Sequence, residues 1–128
     1  MALRKDLRIL IVDDMSVSRQ ILLQLLESIG ITQVQTATDG IDALSNLASC
    51  PAEIVIVDLN MPGMDGLELL QHLRNDRRNQ NIGFVMTNDD ETDQKLDVAW
   101  AQGMDRFLPK PFEINRLINC LEAVAGRV

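Results

Sequence analysis

The sequence predicts an α/β protein, a doubly wound five-stranded parallel sheet with five helices. Two kinds of segment, which alternate along the chain, support this prediction. Short apolar segments rich in valine and isoleucine alternate with longer segments in which apolar residues recur every three to four positions. Strict alternation of strand and helix requires parallel strands, and the crossover helices then cover both faces of the sheet. The length of 128 residues is that of one domain.

The first half of the chain predicts three strands and two helices. A helix is expected over 16–29, ended by Gly30, and a second helix is expected to be capped by Asp39. The first and third of the predicted strands are apolar and rich in β-branched residues, as strands buried on both faces of a sheet are. The strands are predicted at 7–12, 34–36 and 53–57. The apolar face of the first helix is predicted to comprise Val17, Ile21, Leu22, Leu25, Leu26 and Ile29.

The second half predicts a turn-rich loop at 61–66 and then two more strands and three more helices. The third helix carries leucines at helical spacing, and the fourth is polar and is closed by Gly103. The fifth begins at about residue 113 with a strongly apolar face. The remaining predicted elements are a strand at 82–86, the fourth helix at 91–102 and a short strand at 107–108.

Composition excludes several classes of function. Twelve basic and nineteen acidic side chains give a net charge of −7, which argues against nucleic acid and anionic membrane surfaces as ligands. No apolar segment is long enough for a signal peptide or a membrane span. Cys50 and Cys120 lie outside any CxxC pair, and the single histidine, His72, cannot complete a zinc site. These features predict a reduced, cytoplasmic protein.

Polar side chains follow the predicted strands at the edge where such sheets bind ligands. They are Asp13 and Asp14 after the first strand, Asp58 after the third, Thr87 after the fourth and Lys110 after the fifth. Each alone has a structural explanation as a helix cap, a loop residue, a strand residue (Thr87) or an exposed side chain. Together they predict a crevice in which three carboxylates favour raised pKa values or a bound divalent cation, and oxygen ligands suit Mg²⁺.

Five segments resemble the receiver domain of two-component response regulators, in particular the stand-alone, CheY-like chemotaxis type. They are IVDD at 11–14, ATDGIDAL at 37–44, VDLNMPGMDG at 57–66, Thr87 and FLPKPF at 107–112. The resemblance runs from about residue 7 to residue 124. It implies strand order 2-1-3-4-5 and a single receiver domain over 1–128 with no output domain.

The resemblance also implies a role for each residue of the crevice. Asp58 would be the phosphoacceptor, and Mg²⁺ would be bound directly by Asp14 and Asp58, by the Asn60 backbone carbonyl, and through water by Asp13. Thr87 would donate a hydrogen bond to the phosphoryl group and Lys110 would pair with it. Phe107 would be the switch aromatic, and the Lys110–Pro111 peptide would be cis. Asn88 departs from the small residue usual after the threonine, and we expect it to narrow access to the site.

The function expected from these features is that of a monomeric signalling phosphoacceptor, not an enzyme with an external substrate. A histidine kinase would donate the phosphoryl group, and the output partner would be a protein such as a flagellar motor switch component. A phosphorelay intermediate and a phosphate sink are the alternatives. A flavodoxin-like FMN carrier is disfavoured because Asp13 and Asp14 stand where a phosphate loop is needed. An aspartate-nucleophile phosphohydrolase is disfavoured because position 60 is Asn and not an acid.

Five further groups of residues also carry predictions. His72 is expected on the surface, and Arg74, Arg77 and Arg78 are expected to form a solvated loop cluster. Trp100, the only tryptophan, is expected in the core, half-exposed or at a partner contact. Met15 and Met61 are expected to pack or to line the mouth of the crevice. Both cysteines are expected to be chemically inert.

Overall fold

A computed structural model describes residues 3–127, which form ten elements in strict alternation. The strands are β1 (Ile9–Val12), β2 (Val34–Ala37), β3 (Ile54–Asp58), β4 (Gly83–Asn88) and β5 (Arg106–Pro109). The helices are α1 (Ser16–Ser28), α2 (Gly40–Ser49), α3 (Gly66–Arg74), α4 (Gln94–Ala101) and α5 (Ile114–Ala125). The predicted fold class is confirmed.

The five strands form one parallel sheet in the order β2-β1-β3-β4-β5. The order reverses direction at β1, so the loops that follow β1 and β3 diverge to opposite faces and leave a crevice between them. The register pairs Val12 with Val57 and Asp58 with Thr87. The residues that come next along these strands therefore share one edge of the sheet.

Side-chain alternation divides the core into two apolar clusters, one on each face of the sheet. Leu10, Val12, Val55 and Val57 point toward α2, α3 and α4. Their neighbours in β1 and β3 point to the other face, where α1 and α5 cover them. Because both faces are covered, β1, β3 and β4 are buried along their whole lengths.

Side-chain caps and glycines set the helix ends. The carboxylates of Asp39, Asp65 and Asp93 accept hydrogen bonds from first-turn N–H groups of α2, α3 and α4. The cap predicted for Asp39 is thereby confirmed. Gly30 follows the end of α1 with φ of +86°, a conformation that favours glycine.

The predicted core face of α1 is partly wrong. Leu22 and Leu26 are buried, whereas Val17 and Ile21 are 64% and 41% exposed. At 100° per residue, the predicted apolar face spans about 180° of the helix surface. The helix packs on the sheet through the part of this arc around Leu22 and Leu26, so the opposite margin of the arc stays in solvent.

Several predicted boundaries also differ from the structure. β1 is shorter than 7–12, and α4 begins at Gln94 because Asp93 caps it there. Asp58 is the last residue of β3, and Thr87 lies within β4 instead of after it. Both polar residues therefore have sheet geometry, which fixes their backbones more firmly than a loop would.

Candidate functional site

Three carboxylates meet at the carboxyl edge of the sheet, where β1 and β3 end. One oxygen from each of Asp13, Asp14 and Asp58 lies within 4.8 Å of the other two. Asp13 and Asp58 are 1% and 5% exposed, whereas Asp14 faces solvent. The site is thus a crevice with two buried acids at its base and one at its rim.

Lys110 supplies the positive charge of this crevice. It follows β5, and its Nζ lies 3.1 Å from Asp13 Oδ2 and 3.5 Å from Asp58 Oδ2. The Lys110 N–H donates to the carbonyl of Asn88 at 2.9 Å, which holds its backbone against the end of β4. The Lys110–Pro111 peptide is cis, as the resemblance implied.

The buried position raises the pKa of Asp58 from 3.8 to about 6. Burial is the main cause, and the negative charge of Asp13 adds to it. Lys110 and a hydrogen bond from the Asn60 N–H act in the opposite direction. A raised carboxyl pKa beside a lysine, in a crevice at the sheet's switch point, is typical of a functional site.

Asp13 is held from both sides by its neighbours, and one of these contacts, from Arg19, was not predicted from the sequence. Its Oδ1 accepts from the Met15 N–H at 2.9 Å, while its Oδ2 faces Lys110. Arg19 of α1 donates to the Asp13 backbone carbonyl at 2.8 Å. The position of Arg19 near the start of α1 could have predicted this contact. The start of a crossover helix lies beside the end of the strand that precedes it.

Thr87 and Asn88 close the side of the crevice next to β4. Thr87 is 1% exposed and pairs in register with Asp58. Asn88 is 2% exposed, and its side chain accepts from Asn60 Nδ2 at 3.0 Å and donates to the Asp90 carbonyl at 2.9 Å. Its amide therefore bridges the segments that follow β3 and β4. Its predicted effect on access to the site remains a prediction.

Gly66 is a residue of the site that sequence reasoning missed. A Cβ at this position would lie 2.6 Å from the Asp58 backbone oxygen and 2.7 Å from Met86 Sδ. The Gly66 N–H also donates to the Leu59 carbonyl at 2.9 Å. The start of α3 therefore lies against the backbone of Asp58, which only glycine allows.

Phe107 lies on β5 in the strand next to Thr87 and is half-buried against the cluster beneath α4. Trp100 and Val98 of α4 are 46% and 42% exposed. Met15 is 55% exposed, and Met61 is buried. Helix α4 thus presents apolar side chains to solvent near the strand that carries Phe107.

Two predictions made outside the crevice have different outcomes. His72 is exposed, as predicted. The prediction for Arg74 is wrong, because its side chain is only 17% exposed and donates to the carbonyls of Gly103, Gln80 and Ile82. A long side chain with several N–H donors can be largely buried beneath a loop and donate hydrogen bonds to the carbonyls of that loop.

The donor set fits a hard divalent cation. The three carboxylates offer only oxygen, which Mg²⁺ prefers, and the exposed side of Asp14 leaves room for water ligands. Among residues 3–127, these three form the group whose atoms are close enough together to hold one ion. No helix in the same range is long and apolar enough to cross a membrane.

A doubly wound sheet that gathers three acids and one lysine at its carboxyl edge is the arrangement that the resemblance to receiver domains implied. The chain belongs to the response regulator receiver domain family, whose sequence profile matches residues 9–122. The proposed resemblance is confirmed.

Individual relatives resemble the chain over nearly its whole length. It is 33% identical to chemotaxis protein CheY-3 of Vibrio cholerae over 126 residues, 98% of this chain and 97% of that protein. It is 37% identical to chemotaxis protein CheY of Pseudomonas aeruginosa over 123 residues, 95% and 98% of the two chains. The structure of V. cholerae CheY4 aligns with a TM-score of 0.85 at 29% identity, covering 93% of this chain and 98% of that one.

Proposed function

We propose that this receiver domain accepts a phosphoryl group on Asp58 from a histidine kinase and thereby switches a protein-binding face. The observation that carries the proposal is the buried Asp58 carboxylate, with a second carboxylate beside it and Lys110 Nζ at 3.5 Å. The protein would act as a signalling phosphoacceptor that catalyses only its own phosphorylation and dephosphorylation.

The ionised Asp58 carboxylate would attack the phosphorus of a phosphohistidine. A phosphorus–oxygen bond forms, the phosphorus–nitrogen bond breaks, and its electron pair returns to the imidazole, which leaves an acyl phosphate on Asp58. Negative charge spreads over the three equatorial oxygens of the transferring group. Lys110 would neutralise part of this charge, and Thr87 would donate a hydrogen bond to it.

Mg²⁺ would be held by Asp13, Asp14, Asp58 and the backbone carbonyl of Asn60. When bound, it supplies charge neutralisation for the transferring phosphoryl group. The contacts of the acids support different contributions, because both oxygens of Asp13 already have partners, Met15 N–H and Lys110. Asp14 is exposed and is therefore the acid freest to bind the ion directly.

The metal requirement can be tested with acetyl phosphate as the phosphodonor. We expect phosphorylation with Mg²⁺ and its loss in excess chelator, because the charge of the transferring group is then unscreened. Asp14→Ala should weaken metal binding more than Asp13→Ala. An unchanged rate in chelator would refute the proposed role of the metal.

The output proposed is chemotaxis control through a flagellar motor switch component in the cytoplasm. Relatives named as chemotaxis proteins match almost the whole chain, and α4 exposes Trp100 and Val98, which would form part of the protein-binding face. A phosphorelay intermediate or a phosphate sink would use the same phosphoacceptor. Two measurements separate these three functions: pull-down with and without acetyl phosphate, and transfer of a labelled phosphoryl group. A switch binds its partner in the phosphorylated state, and a relay intermediate passes the labelled phosphoryl group to a phosphotransfer histidine. A sink does neither.

A further inference from the structure

Two hydrogen bonds link the residues that follow Asp58 to the segment that leads into α4. The backbone N–H of Asn60 also acts on the Asp58 carboxylate and lowers the pKa of that group. The Asn60 side chain donates through Nδ2 to Asn88 Oδ1 at 3.0 Å, and Asn88 Nδ2 donates to the Asp90 carbonyl at 2.9 Å. Two side-chain amides thus join the end of β3 to residues 89–93, the connection between β4 and α4.

The two amides lie in different environments. Asn88 is 2% exposed, so its polar atoms depend on partners within the protein, whereas Asn60 is exposed and could be solvated instead. The hydrogen bond therefore restrains Asn60 because the buried Asn88 requires a partner. Asp90 is restrained in turn, since its carboxylate also accepts from the N–H and hydroxyl of Thr92.

We propose that Asn88 is a positioning residue of the switch, and that its bond to Asn60 stabilises the unphosphorylated arrangement of the β4–α4 connection. This inference rests on the function proposed above. Thr87 and Asn88 are consecutive, so a displacement of Thr87 toward a phosphoryl group also moves Asn88. Asn60 stays attached to the end of β3, and lengthening of the 3.0 Å contact by about half an ångström would break it.

A bond present only in the unphosphorylated arrangement opposes activation. Its removal shifts the equilibrium toward the activated arrangement and raises the affinity for any ligand that selects that arrangement. Fluoroberyllate, a phosphoryl analogue, is such a ligand. We expect Asn88→Ala to bind it about two- to tenfold more tightly than wild type in the presence of Mg²⁺, the range for the loss of one net hydrogen bond.

The partner variant separates this effect from a simple widening of the crevice. Asn60→Ala removes the same bond while leaving Asn88 in place, so it should give the same gain in affinity, and the double variant should show no further gain. Widening by Asn88→Ala would instead add to the effect of Asn60→Ala. Asn75→Ala is the control, because the amide of Asn75 donates to the Gln71 carbonyl away from the crevice.

Fluoroberyllate titration followed by Trp100 fluorescence supplies the affinities, with thermal unfolding as the check on folding. Equal gains in the two single variants and no further gain in the double variant support the proposal. Unchanged or weaker binding in Asn60→Ala overturns it, as do additive gains. If wild type itself fails to bind the analogue with Mg²⁺, the proposed function fails and this inference fails with it.

Discussion

At the scale of single residues, Asp58 is where burial and charge oppose each other. The carboxyl has a pKa of about 6 in the folded protein and 3.8 as its ordinary value. Folding is therefore disfavoured when this group must be ionised. This free-energy cost is fully present above about pH 6, declines as the pH falls through 6, and vanishes below 3.8. Its full size is about 3 kcal/mol.

We therefore expect Asp58→Asn to stabilise the protein in chelator at about pH 7.5 by about 1–3 kcal/mol, because the amide carries no charge. The gain should shrink as the pH is lowered toward about 4, where the wild-type carboxyl is protonated. Denaturant unfolding at a series of pH values measures it. Asp97→Asn, at an exposed position of α4, should change stability by less than about 0.5 kcal/mol. A gain that does not vary with pH would contradict this explanation.

At the scale of elements, the contact between the start of α3 and the end of β3 fixes the backbone of Asp58. A methyl group at position 66 would lie 2.6 Å from the Asp58 carbonyl, so the helix or the strand must shift. We expect Gly66→Ala to lower the free energy of unfolding by about 1–3 kcal/mol. Phosphorylation by acetyl phosphate should slow as well, because Asp58 moves relative to Lys110.

Gly126→Ala is the matched control for this substitution. Gly126 has φ of −69°, which any residue adopts, and lies at the end of α5. Its replacement should change unfolding and phosphorylation little. If Gly66→Ala behaved like this control in both measurements, the close approach of α3 to the Asp58 backbone would not be needed for stability or for phosphorylation.

The second prediction at this scale concerns how a phosphoryl group on Asp58 would change the packing between β4, β5 and α4. Thr87 is the donor we expect a phosphoryl group on Asp58 to attract, and Phe107 on the adjacent strand would turn inward to fill the space left behind. One hydrogen bond to a charged group contributes about 1.5–3 kcal/mol. To change the ratio of activated to inactive molecules from 1:99 to 99:1 takes about 5.5 kcal/mol of differential stabilisation. Lys110 and Phe107 must therefore contribute, or the switch is incomplete.

Trp100 reports this coupling because it is 46% exposed on α4, away from the acidic crevice. We expect little fluorescence change with Mg²⁺ alone and a clear change with Mg²⁺ plus fluoroberyllate. Thr87→Ala should bind the analogue but show a smaller change. A full change with Mg²⁺ alone, or an undiminished one in Thr87→Ala, would show that the coupling runs by another route.

At the scale of the whole molecule, an ion-pair network ties the amino edge of the sheet together, opposite the acidic crevice. Asp105 pairs with Arg127 of the chain's end at 2.7 Å and with Arg74 of α3 at 3.3 Å. Its carboxylate also accepts from the N–H of the buried Phe84 at 2.8 Å. The network therefore connects α3, β4, the residue before β5 and the residues after α5.

We expect Asp105→Ala to lower the free energy of unfolding by about 2–4 kcal/mol, because it leaves a largely buried Arg74 and the Phe84 N–H without this partner. Asp105→Asn should lose less, since its amide oxygen can still accept from Phe84. Binding of fluoroberyllate by either folded variant should be unchanged. Equal losses from the two substitutions would mean that charge pairing alone accounts for the network.

The same scale shows what the sequence could predict. The parallel sheet followed from alternating apolar segments, and the meeting of Asp13, Asp14 and Lys110 followed from their places after strands, because strand ends share one edge. Arg74 could not be placed, since a polar loop sequence does not reveal which carbonyls a long side chain reaches. The bridge from Asn60 to Asn88 depends on tertiary register between two strands, which spacing alone does not define.

The most direct test of the central claim is to locate the phosphoryl group. The protein is incubated with acetyl phosphate and Mg²⁺, quenched in acid, digested and analysed by tandem mass spectrometry. We expect one base-labile phosphoryl group, on Asp58, and none on Asp58→Ala, because Asp58 is the buried acid that Lys110 contacts at the carboxyl end of β3. The same level of phosphorylation in Asp58→Ala, or modification of a different residue in wild type, would contradict the claim.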